Sequence, residues 1–267
     1  MSKVVRILVV GDIVGNAGKE AVLNLYPKLK KEKGIDFCIV NAENIATKGS
    51  GVKDKDLQDL LDAGIDVITG GDHMGKHRGD SDYIMQGERL LRPANYTKDP
   101  GKSSLVCSPK EHKDIKIGVL NVIGNVFMEK TIPAFKITQE KIEKLKLVTD
   151  IIIVDFHAEA SSEKVAMGLF LDGKVSAVFG THTHVQTADE KVLPNGTAYI
   201  TDLGMTGGMS GVIGRKKESV ILKFLNQPHS KFEVTTDDVW LNGALIDIET
   251  SEGKATHIER VSEPFSI

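Results

Sequence analysis

Five short runs of apolar, often β-branched residues share one pattern along the chain. Each run ends in polar residues that could carry chemistry. Continuous apolar runs suit strands that are buried on both faces of a sheet covered by helices. The sequence therefore predicts five strands, at Val5–Asp12, Phe37–Asn44, Val67–His73, Ile151–His157 and Val175–His184.

Helical spacing of apolar residues fills the segments between these strands. One helix is predicted from Lys19 to Lys33, a second is predicted to be capped by Asp54 and ended by Gly64, and a third to be capped by Thr138. Alternating strands and helices predict an α/β fold. In open α/β sheets, ligands bind beyond the carboxyl ends of the strands. The five polar strand ends are therefore predicted to gather on one rim.

After Thr197 the pattern changes to consecutive strands with few helical signals. These strands are predicted to form a second sheet packed against the first. No linker rich in Pro, Gly or Ser and no internal repeat interrupts the chain, so we predict a single domain over residues 1–267, with two sheets and outer helices. The predicted C-terminal strands are Ala198–Leu203, Ser219–Phe224, Lys231–Thr235, Trp240–Ile248 and Ala255–Val261.

Composition narrows the function classes only modestly. The chain has 267 residues, 40% of them hydrophobic, and a net charge of -3, which gives no strong nucleic-acid signature. A small anionic substrate stays compatible, because metal ions can supply local positive charge. No signal peptide or membrane span is predicted. Cys38 and Cys107 suggest neither a zinc motif nor a disulfide framework, so we expect a cytoplasmic protein.

The predicted rim combines imidazoles with carboxylates. A single histidine is more often a hydrogen-bonded surface or core residue than a ligand, but four of the eight histidines lie at predicted strand ends. Mixed ligands of this kind suit Mn, Fe, Zn or Ni better than Ca²⁺, which takes oxygen ligands. The candidate residues are Asp12, Glu43, Asn44, Asp72, His73, His157, His182 and His184.

The segment Gly180–His184, which reads GTHTH, is the sharpest local signal. Residues two apart on an extended segment project to the same side, so both histidines could face one cavity. A polar loop beside a strand would also explain this sequence. Asp12 taken alone could equally cap a helix, and Glu43 alone could lie in a solvated loop. The metal prediction therefore depends on the whole set.

Two nucleotide-binding loops and a hydrolase motif are disfavoured. The segment Gly11–Gly18 follows a predicted strand and precedes a helix, but its glycine spacing does not fit G-x-G-x-x-G. It is not a P-loop either, because Glu20 stands after Gly18-Lys19 where Ser or Thr is required. The chain lacks the G-x-S-x-G elbow of α/β-hydrolases.

Seven ordered motifs together resemble the YmdB-type metallophosphoesterases. These are bacterial calcineurin-like enzymes with 2′,3′-cyclic nucleotide 2′-phosphodiesterase activity, and the resemblance runs from about Arg6 to Arg260. It implies a four-layer α/β/β/α sandwich of the metallo-dependent phosphatase type. The motifs are GDIVG at Gly11–Gly15, NAEN at Asn41–Asn44, GGDH at Gly70–His73, RPANY at Arg92–Tyr96, DFHAEA at Asp155–Ala160, GTHTHVQTAD at Gly180–Asp189 and TDLGMTGG at Thr201–Gly208.

The resemblance also implies roles for the rim residues. It assigns one metal to Asp12 and His184. The other metal falls to Asp72, His157 and His182. Glu43 would bridge both metals with Asn44 close by, and His73 would stand off the metals and face the substrate phosphate. The implied cofactor is a pair of divalent or mixed-valence ions, iron or manganese first and zinc or magnesium as alternatives.

The chain departs from this family at Asp72, where the family usually has Asn. A third protein carboxylate should hold cations more tightly and blunt their Lewis acidity. The following residues, Met74-Gly75-Lys76, also differ from the usual aromatic-acidic continuation, which bears on substrate preference. Glycines between Gly204 and Gly214, followed by Arg215, could shape a phosphate entrance or form a plain surface loop.

The implied reaction is hydrolysis of a small phosphodiester by a metal-bridging hydroxide, with His73 assisting as catalytic acid or charge stabiliser. The expected substrates are 2′,3′-cyclic nucleotides, which would give 3′-nucleotides. A broad phosphodiesterase or phosphomonoesterase, a weakly active regulatory protein with RNA or protein partners, and a structural metal protein remain alternatives. The sequence does not identify substrate-binding residues, and homo-oligomers are compatible with it.

Overall fold

Two mixed sheets face each other in the computed structural model, which describes residues 3–74, 87, 89–96, 101–128, 131–228 and 231–266. The strands of the first sheet are β1 (Val4–Val10), β2 (Asp12–Ile13), β3 (Phe37–Asn41), β4 (Val67–Thr69), β5 (Leu90–Leu91), β12 (Met205–Gly208), β13 (Val239–Glu249) and β14 (Lys254–Phe265). Their order across the sheet is β2-β12-β13-β1-β3-β4-β5, with β14 paired to β13.

The strands of the second sheet are β6 (Ser104–Cys107), β7 (Ile117–Ile123), β8 (Ile151–His157), β9 (Ala177–Thr181), β10 (Lys191–Val192) and β11 (Ala198–Ile200). Their order is β10-β11-β9-β8-β7-β6. Four of these strands, β7, β8, β9 and β11, run parallel, as do β1, β3, β4 and β5 in the first sheet.

Helices cover the outer face of each sheet. The helices are α1 (Gly15–Lys33), α2 (Asp54–Asp62), α3 (Ala134–Leu145), α4 (Ser161–Leu171) and α5 (Lys217–Phe224). Alternate residues of a strand point to opposite faces. In β1, Val5, Ile7 and Val9 therefore join a core between the sheets, while Leu8 and Val10 pack in a second core that includes α1 and α2.

A third core lies under α3 and α4, where Ile142 and Met167 pack against Leu120 and Val154 of the second sheet. The layers are thus helix, sheet, sheet and helix, which confirms the predicted α/β/β/α sandwich. Among the residues that the structure describes, no helix combines the length and the apolar character needed to cross a membrane.

The division of strands between the sheets differs from the prediction. Ile151–His157 and the strand that ends at Thr181 belong to the second sheet. The C-terminal strands β13 and β14 instead complete the first sheet, because β13 pairs antiparallel with the whole of β1, from Val4↔Glu249 to Val10↔Gly243. Strand β7 was not predicted, although its sequence, IGVLNVI, is a continuous apolar run.

Two predicted C-terminal strands are wrong. Ser219–Phe224 lies in helix α5, where Glu218 in the first turn and Lys223 in the last turn suit the helix dipole. The segment Lys231–Thr235 forms only an isolated β-bridge, between Val234 and Arg215. The backbone of this segment is hydrogen-bonded to the loop around Arg215 and does not join a sheet.

The three predicted helices are present, but their ends differ. Helix α1 begins at Gly15, four residues before the predicted start, and Gly34 closes it with φ 65°. Helix α2 begins at Asp54 itself, after Lys53. Thr138 lies inside α3 and donates its hydroxyl to the Ala134 carbonyl at 2.7 Å, so it does not cap that helix.

Candidate metal centre

The predicted ligands meet where the parallel strands of both sheets end. Asp12 follows β1, and Glu43 and Asn44 follow β3 in the first sheet. His157 is the last residue of β8 in the second sheet. The carboxyl ends of the parallel strands of both sheets meet at the same place. The predicted ligands therefore lie in a cleft between two sheets and not along the rim of one.

Four side chains form a compact group of possible metal ligands. One ligand atom from each of Glu43, Asp72, His157 and His182 lies within 4.8 Å of the others. Nε2 of His157 is 3.3 Å from Oε2 of Glu43 and 3.3 Å from Oδ1 of Asp72. Nδ1 of His182 is 3.0 Å from the same His157 nitrogen. Two carboxylates and two imidazoles converge here, which is a donor set that suits Mn, Fe or Zn.

Asp12 lies beside this group and is wholly buried. Its Oδ2 accepts a hydrogen bond from the His182 backbone N–H at 3.0 Å. Its Oδ1 has no hydrogen-bond partner among the described residues and lies 3.8 Å from Nδ1 of His157. Burial raises the pKa of Asp12 to about 6. A buried carboxylate oxygen without a donor fits a site that takes a cation.

Asn44 connects the group to the remaining two histidines. Its Nδ2 donates to Oε1 of Glu43 at 2.8 Å and lies 3.2 Å from Nε2 of His184. Its Oδ1 is 2.9 Å from Nδ1 of His73. Asn44 and the two histidines therefore adjoin the four-residue group but lie outside it. Their ligand and catalytic roles stay predictions.

The charges of the site are strongly coupled. Burial opposes ionisation of Glu43, but His157 outweighs it and lowers the pKa of the carboxyl to about 2. Burial likewise disfavours a charged His157, yet Glu43 and Asp72 raise the pKa of its imidazole well above the usual range. Burial and the neighbouring His157 lower the pKa of His182 to about 4. The carboxylates thus favour a positive charge beside them, and either a proton on His157 or a metal cation can supply it.

A buried network fixes the orientation of His157. Its Nδ1 is 2.9 Å from Oγ1 of Thr181, and that hydroxyl donates to Asp155 at 2.7 Å. Because the hydroxyl proton goes to Asp155, the hydroxyl oxygen is left to accept from Nδ1–H, so a neutral His157 would direct the lone pair of Nε2 at the ligand group. Asn41 also donates to Asp155. Sequence analysis missed Asp155 as a site residue, and an aspartate inside the apolar run IIIVDFH was the available signal.

The loop after β9 places His182 and His184 by a different geometry from the one predicted. The strand ends at Thr181, and the histidines have φ values of 99° and 65° instead of extended ones. Asp202 holds this loop, because it accepts hydrogen bonds from the backbone N–H and the hydroxyl of Thr183. Lys164 pairs with Asp202, and both side chains are buried. Asp202 was also missed by sequence analysis.

Glu159 is a further residue that the sequence did not single out. Its Oε2 is 3.2 Å from Nε2 of His182, on the side of the ring away from His157. A carboxylate in this position can hold the N–H of a ligand imidazole and fix its tautomer. The acidic residue two positions after His157 in DFHAEA was the signal that could have identified it.

Gly71 lets the chain pass directly over the ligand group. A Cβ at this position would lie 2.1 Å from Oε2 of Glu43 and 2.3 Å from Nε2 of His157. Only a residue without a side chain leaves this space open. The segment Met74-Gly75-Lys76 was predicted to bear on substrate preference. The structure describes Met74, but Gly75 and Lys76 lie outside the described residues.

A cavity of about 450 Å³ opens from the ligand group. The glycine-rich segment contributes Val212, Ile213 and Arg215 to its wall. The guanidinium of Arg215, however, donates to the carbonyl oxygens of Lys48 and Gly49, so it fixes one loop against another. The predicted phosphate entrance therefore receives no direct support from the contacts of Arg215.

Comparison with known proteins agrees with this architecture. The profile described as "YmdB-like protein" matches residues 8–261. The 2′,3′-cyclic-nucleotide 2′-phosphodiesterase of Bacillus subtilis (strain 168) is 40% identical over 257 residues, which cover 96% of each chain.

Two solved structures share the fold. A phosphatase from Mycoplasma pneumoniae superposes with a TM-score of 0.91 at 35% identity, and the match covers 99% of this chain and 95% of that one. A protein from Thermus thermophilus, described only as hypothetical, gives a TM-score of 0.89 at 32% identity over 98% and 100% of the chains. These matches confirm the predicted metallophosphoesterase-like fold and support the prediction of a phosphoric diester hydrolase. The chain belongs to the YmdB-like protein family.

Proposed function

We propose that the chain is a phosphodiesterase that binds two metal ions and hydrolyses 2′,3′-cyclic nucleotides to 3′-nucleotides. The convergence of Glu43, Asp72, His157 and His182 from two sheets, next to the unpartnered oxygen of Asp12, carries this proposal. The name of the Bacillus subtilis relative supports the substrate class. Iron and manganese fit the mixed donors first, and zinc or magnesium are the alternatives.

The ligand set divides into two neighbouring halves. Asp72, His157 and His182 would hold one ion, and Asp12 with His184 would hold the other. Glu43 lies between the halves, because its Oε2 approaches His157 and its Oε1 accepts from Asn44. Divalent ions bound there would supply Lewis-acid activation of water and neutralise charge on the phosphoryl oxygens.

His73 is suited to act on the substrate itself. The ring is partly exposed and lines the cavity, and its Nδ1 lies 2.9 Å from Oδ1 of Asn44. Nδ1–H can donate to Asn44, and Nε2 lies 3.5 Å from Oδ2 of Asp72. When the ring carries a proton on both nitrogens, Nε2–H can give its proton to the departing 2′-oxygen, and the positive ring can stabilise charge on the phosphoryl group.

Both cysteines are free, and Cys38 is buried among apolar neighbours. Free cysteines suit a reducing compartment, which supports the proposed cytoplasmic location.

Metal-dependent turnover with product identification tests the function. Protein stripped with a chelator is reloaded separately with Mn²⁺, Fe²⁺, Zn²⁺ or Mg²⁺ and given 2′,3′-cyclic AMP beside p-nitrophenyl phosphate and bis-p-nitrophenyl phosphate. The proposal predicts metal-dependent formation of 3′-AMP, with the cyclic nucleotide preferred. Equal rates on all three esters would favour a broad phosphoesterase. No turnover with any metal would contradict enzymatic function.

A further inference from the structure

Two chemically different sets of residues line the cavity beside the ligand group. One set supplies the carboxylate, amide and imidazole groups of the candidate metal centre. The other set is apolar and comes from α5 and the loops on either side of it. This apolar set, called here the aromatic wall, consists of Val212, Ile213, Val220, Phe224 and Phe232.

The aromatic wall is not explained by packing alone. Helix α5 buries only Val220 among its residues. Phe224 lines the cavity with 80% of its surface exposed, and Phe232 is 37% exposed. The ammonium of Lys223 lies 5.2 Å from the centroid of the Phe232 ring, which adds a cation to the wall. A phosphate and two metal ions would not be stabilised by such an apolar surface, whereas a planar aromatic group can stack on it.

We infer that the aromatic wall binds the nucleobase of the substrate and thereby makes the enzyme selective for nucleotides over other phosphodiesters. This inference rests on the proposed phosphodiesterase function. A cavity of about 450 Å³ lies within the range of about 300–1,000 Å³ that is usual for small-ligand sites. Every base has a π-face that can stack on an aromatic ring, so the wall should accept purines and pyrimidines alike.

The part of the wall that contains Ile213 is held close to the candidate metal centre. The carbonyl oxygen of Ile213 lies 3.1 Å from Nδ1 of His184, so a residue of the wall orients a predicted metal ligand. Arg215 ties the same loop to the backbone of Lys48 and Gly49, which follow Glu43 and Asn44. A base against the wall and a phosphate at the ligand group would therefore be positioned together.

The decisive comparison uses two substrates with the same reacting bonds. These are 2′,3′-cyclic AMP and methyl riboside 2′,3′-cyclic phosphate, in which a methoxy group replaces the base. Wild-type, metal-loaded enzyme should favour the nucleotide in kcat/KM. In Phe224→Ala and Phe232→Ala that preference should fall about tenfold per variant, mainly through KM, because one stacking contact is lost. Phe224→Tyr should retain it.

Leu147→Ala is the matched control. Leu147 is 86% exposed and lies just before β8, at the opposite end of that strand from His157. The preference for the nucleotide should not change in this variant. The inference is overturned if wild-type enzyme hydrolyses both substrates equally well, or if the phenylalanine variants leave the preference intact.

A binding measurement separates this inference from the proposed function. Calorimetry compares adenosine 3′-phosphate with methyl riboside 3-phosphate on metal-loaded wild-type protein and on Phe224→Ala. Tighter binding of the adenosine compound that is lost in the variant supports the base site even without turnover. Equal binding of the two compounds rejects it. Sedimentation of both proteins identifies a competing occupant, because a wild-type dimer that Phe224→Ala dissociates would assign the wall to a second copy of the chain and overturn the inference.

Discussion

At the scale of single residues, Asp72 sets the charge of the candidate metal centre. Its Oδ1 lies 3.3 Å from Nε2 of His157, in a group that already contains Glu43. Burial opposes ionisation of Asp72, but hydrogen bonding and the charge of His157 outweigh it, so the pKa of the carboxyl falls below its usual range. The site therefore carries a third ionised carboxylate beside those of Glu43 and Asp12, where an asparagine would be neutral.

Asp72→Asn should weaken metal binding and raise turnover at saturating metal. Removing one negative charge lessens attraction for cations, but it leaves the bound ions stronger Lewis acids. Metal titrations of activity, repeated with each metal, measure both effects. Asp114→Asn is the control, because Asp114 is 74% exposed and lies before β7, away from the strand ends that carry the site. Unchanged metal affinity and rate in Asp72→Asn would reject this interpretation of the third carboxylate.

His73→Ala should keep its metals and lose at least about 10²-fold in kcat, which is the usual scale of acid–base assistance. The reason is that His73 contacts Asn44 and lines the cavity but lies outside the four-residue ligand group. Metal content and steady-state kinetics on the same sample check this. Near-normal kcat with full metal content would remove His73 from the chemistry, and loss of metal would make it a ligand instead.

At the scale of elements, the loop after β9 matters most, because it carries His182 and His184. Asp189 closes the far end of this loop by accepting hydrogen bonds from Thr187 at 2.6 Å and from the backbone N–H of Thr201 at 3.1 Å. Burial opposes ionisation of Asp189, but these hydrogen bonds outweigh it and lower the pKa of the carboxyl below its ordinary value of 3.8.

This lowered pKa predicts a pH-dependent contribution to stability. A carboxyl with a depressed folded-state pKa stabilises the fold above its unfolded value, and the contribution is lost as the pH falls through the folded value. Asp189→Asn should therefore lower Tm at pH 7, and its deficit against wild type should shrink below about pH 4. Thermal unfolding of both proteins from pH 3 to pH 8 measures this. A deficit of constant size across that range would contradict the assigned role of the charge.

Some elements could be predicted from the sequence because their signals are local. The apolar runs of β1, β3, β4, β8 and β9 ended in polar residues, and the structure brings these ends together. Their division between two sheets could not be predicted, because a buried parallel strand has the same apolar pattern in either sheet. Helix α5 was mistaken for a strand since its Val-Ile-Leu run favours a strand, while the dipole-compatible charges at its ends favour a helix.

Supporting residues of the site were harder to predict than the candidate ligands. Asp155 and Asp202 act through contacts with Thr181 and Thr183, and such contacts depend on the assembled sheets. The positive φ values of His182 and His184 likewise depend on how the loop is held. Nothing in local sequence spacing encodes these long-range hydrogen bonds.

At the scale of the whole molecule, the candidate metal centre lies across the interface of the two sheets. Asp12, Glu43 and Asp72 follow strands of the first sheet, whereas His157 ends a strand of the second sheet and His182 follows another. The core between the sheets also combines residues from both, such as Ile7 and Ile153. This shared core supports our proposal that residues 1–267 form a single domain.

Metal removal should therefore lower the stability of the whole fold. Each ion that binds only the folded state at about 100 times its Kd contributes about 2.7 kcal/mol, which corresponds to a Tm shift of about 5 to 10 °C for a chain of this size. Thermal unfolding with a chelator and after Mn²⁺ is restored measures the shift. In His157→Ala, added Mn²⁺ should raise Tm much less. An identical Tm with and without metal in the wild type would contradict a structural link between the sheets.

The most direct test of the central claim is the metal stoichiometry of the purified protein. Wild-type protein is reloaded with Mn²⁺, desalted, and its metal content is measured by mass spectrometry against protein concentration. Two ions per wild-type chain, with one retained in His184→Ala, are the predicted result. A wild-type chain that retains at most one ion would contradict the proposed two-metal phosphodiesterase.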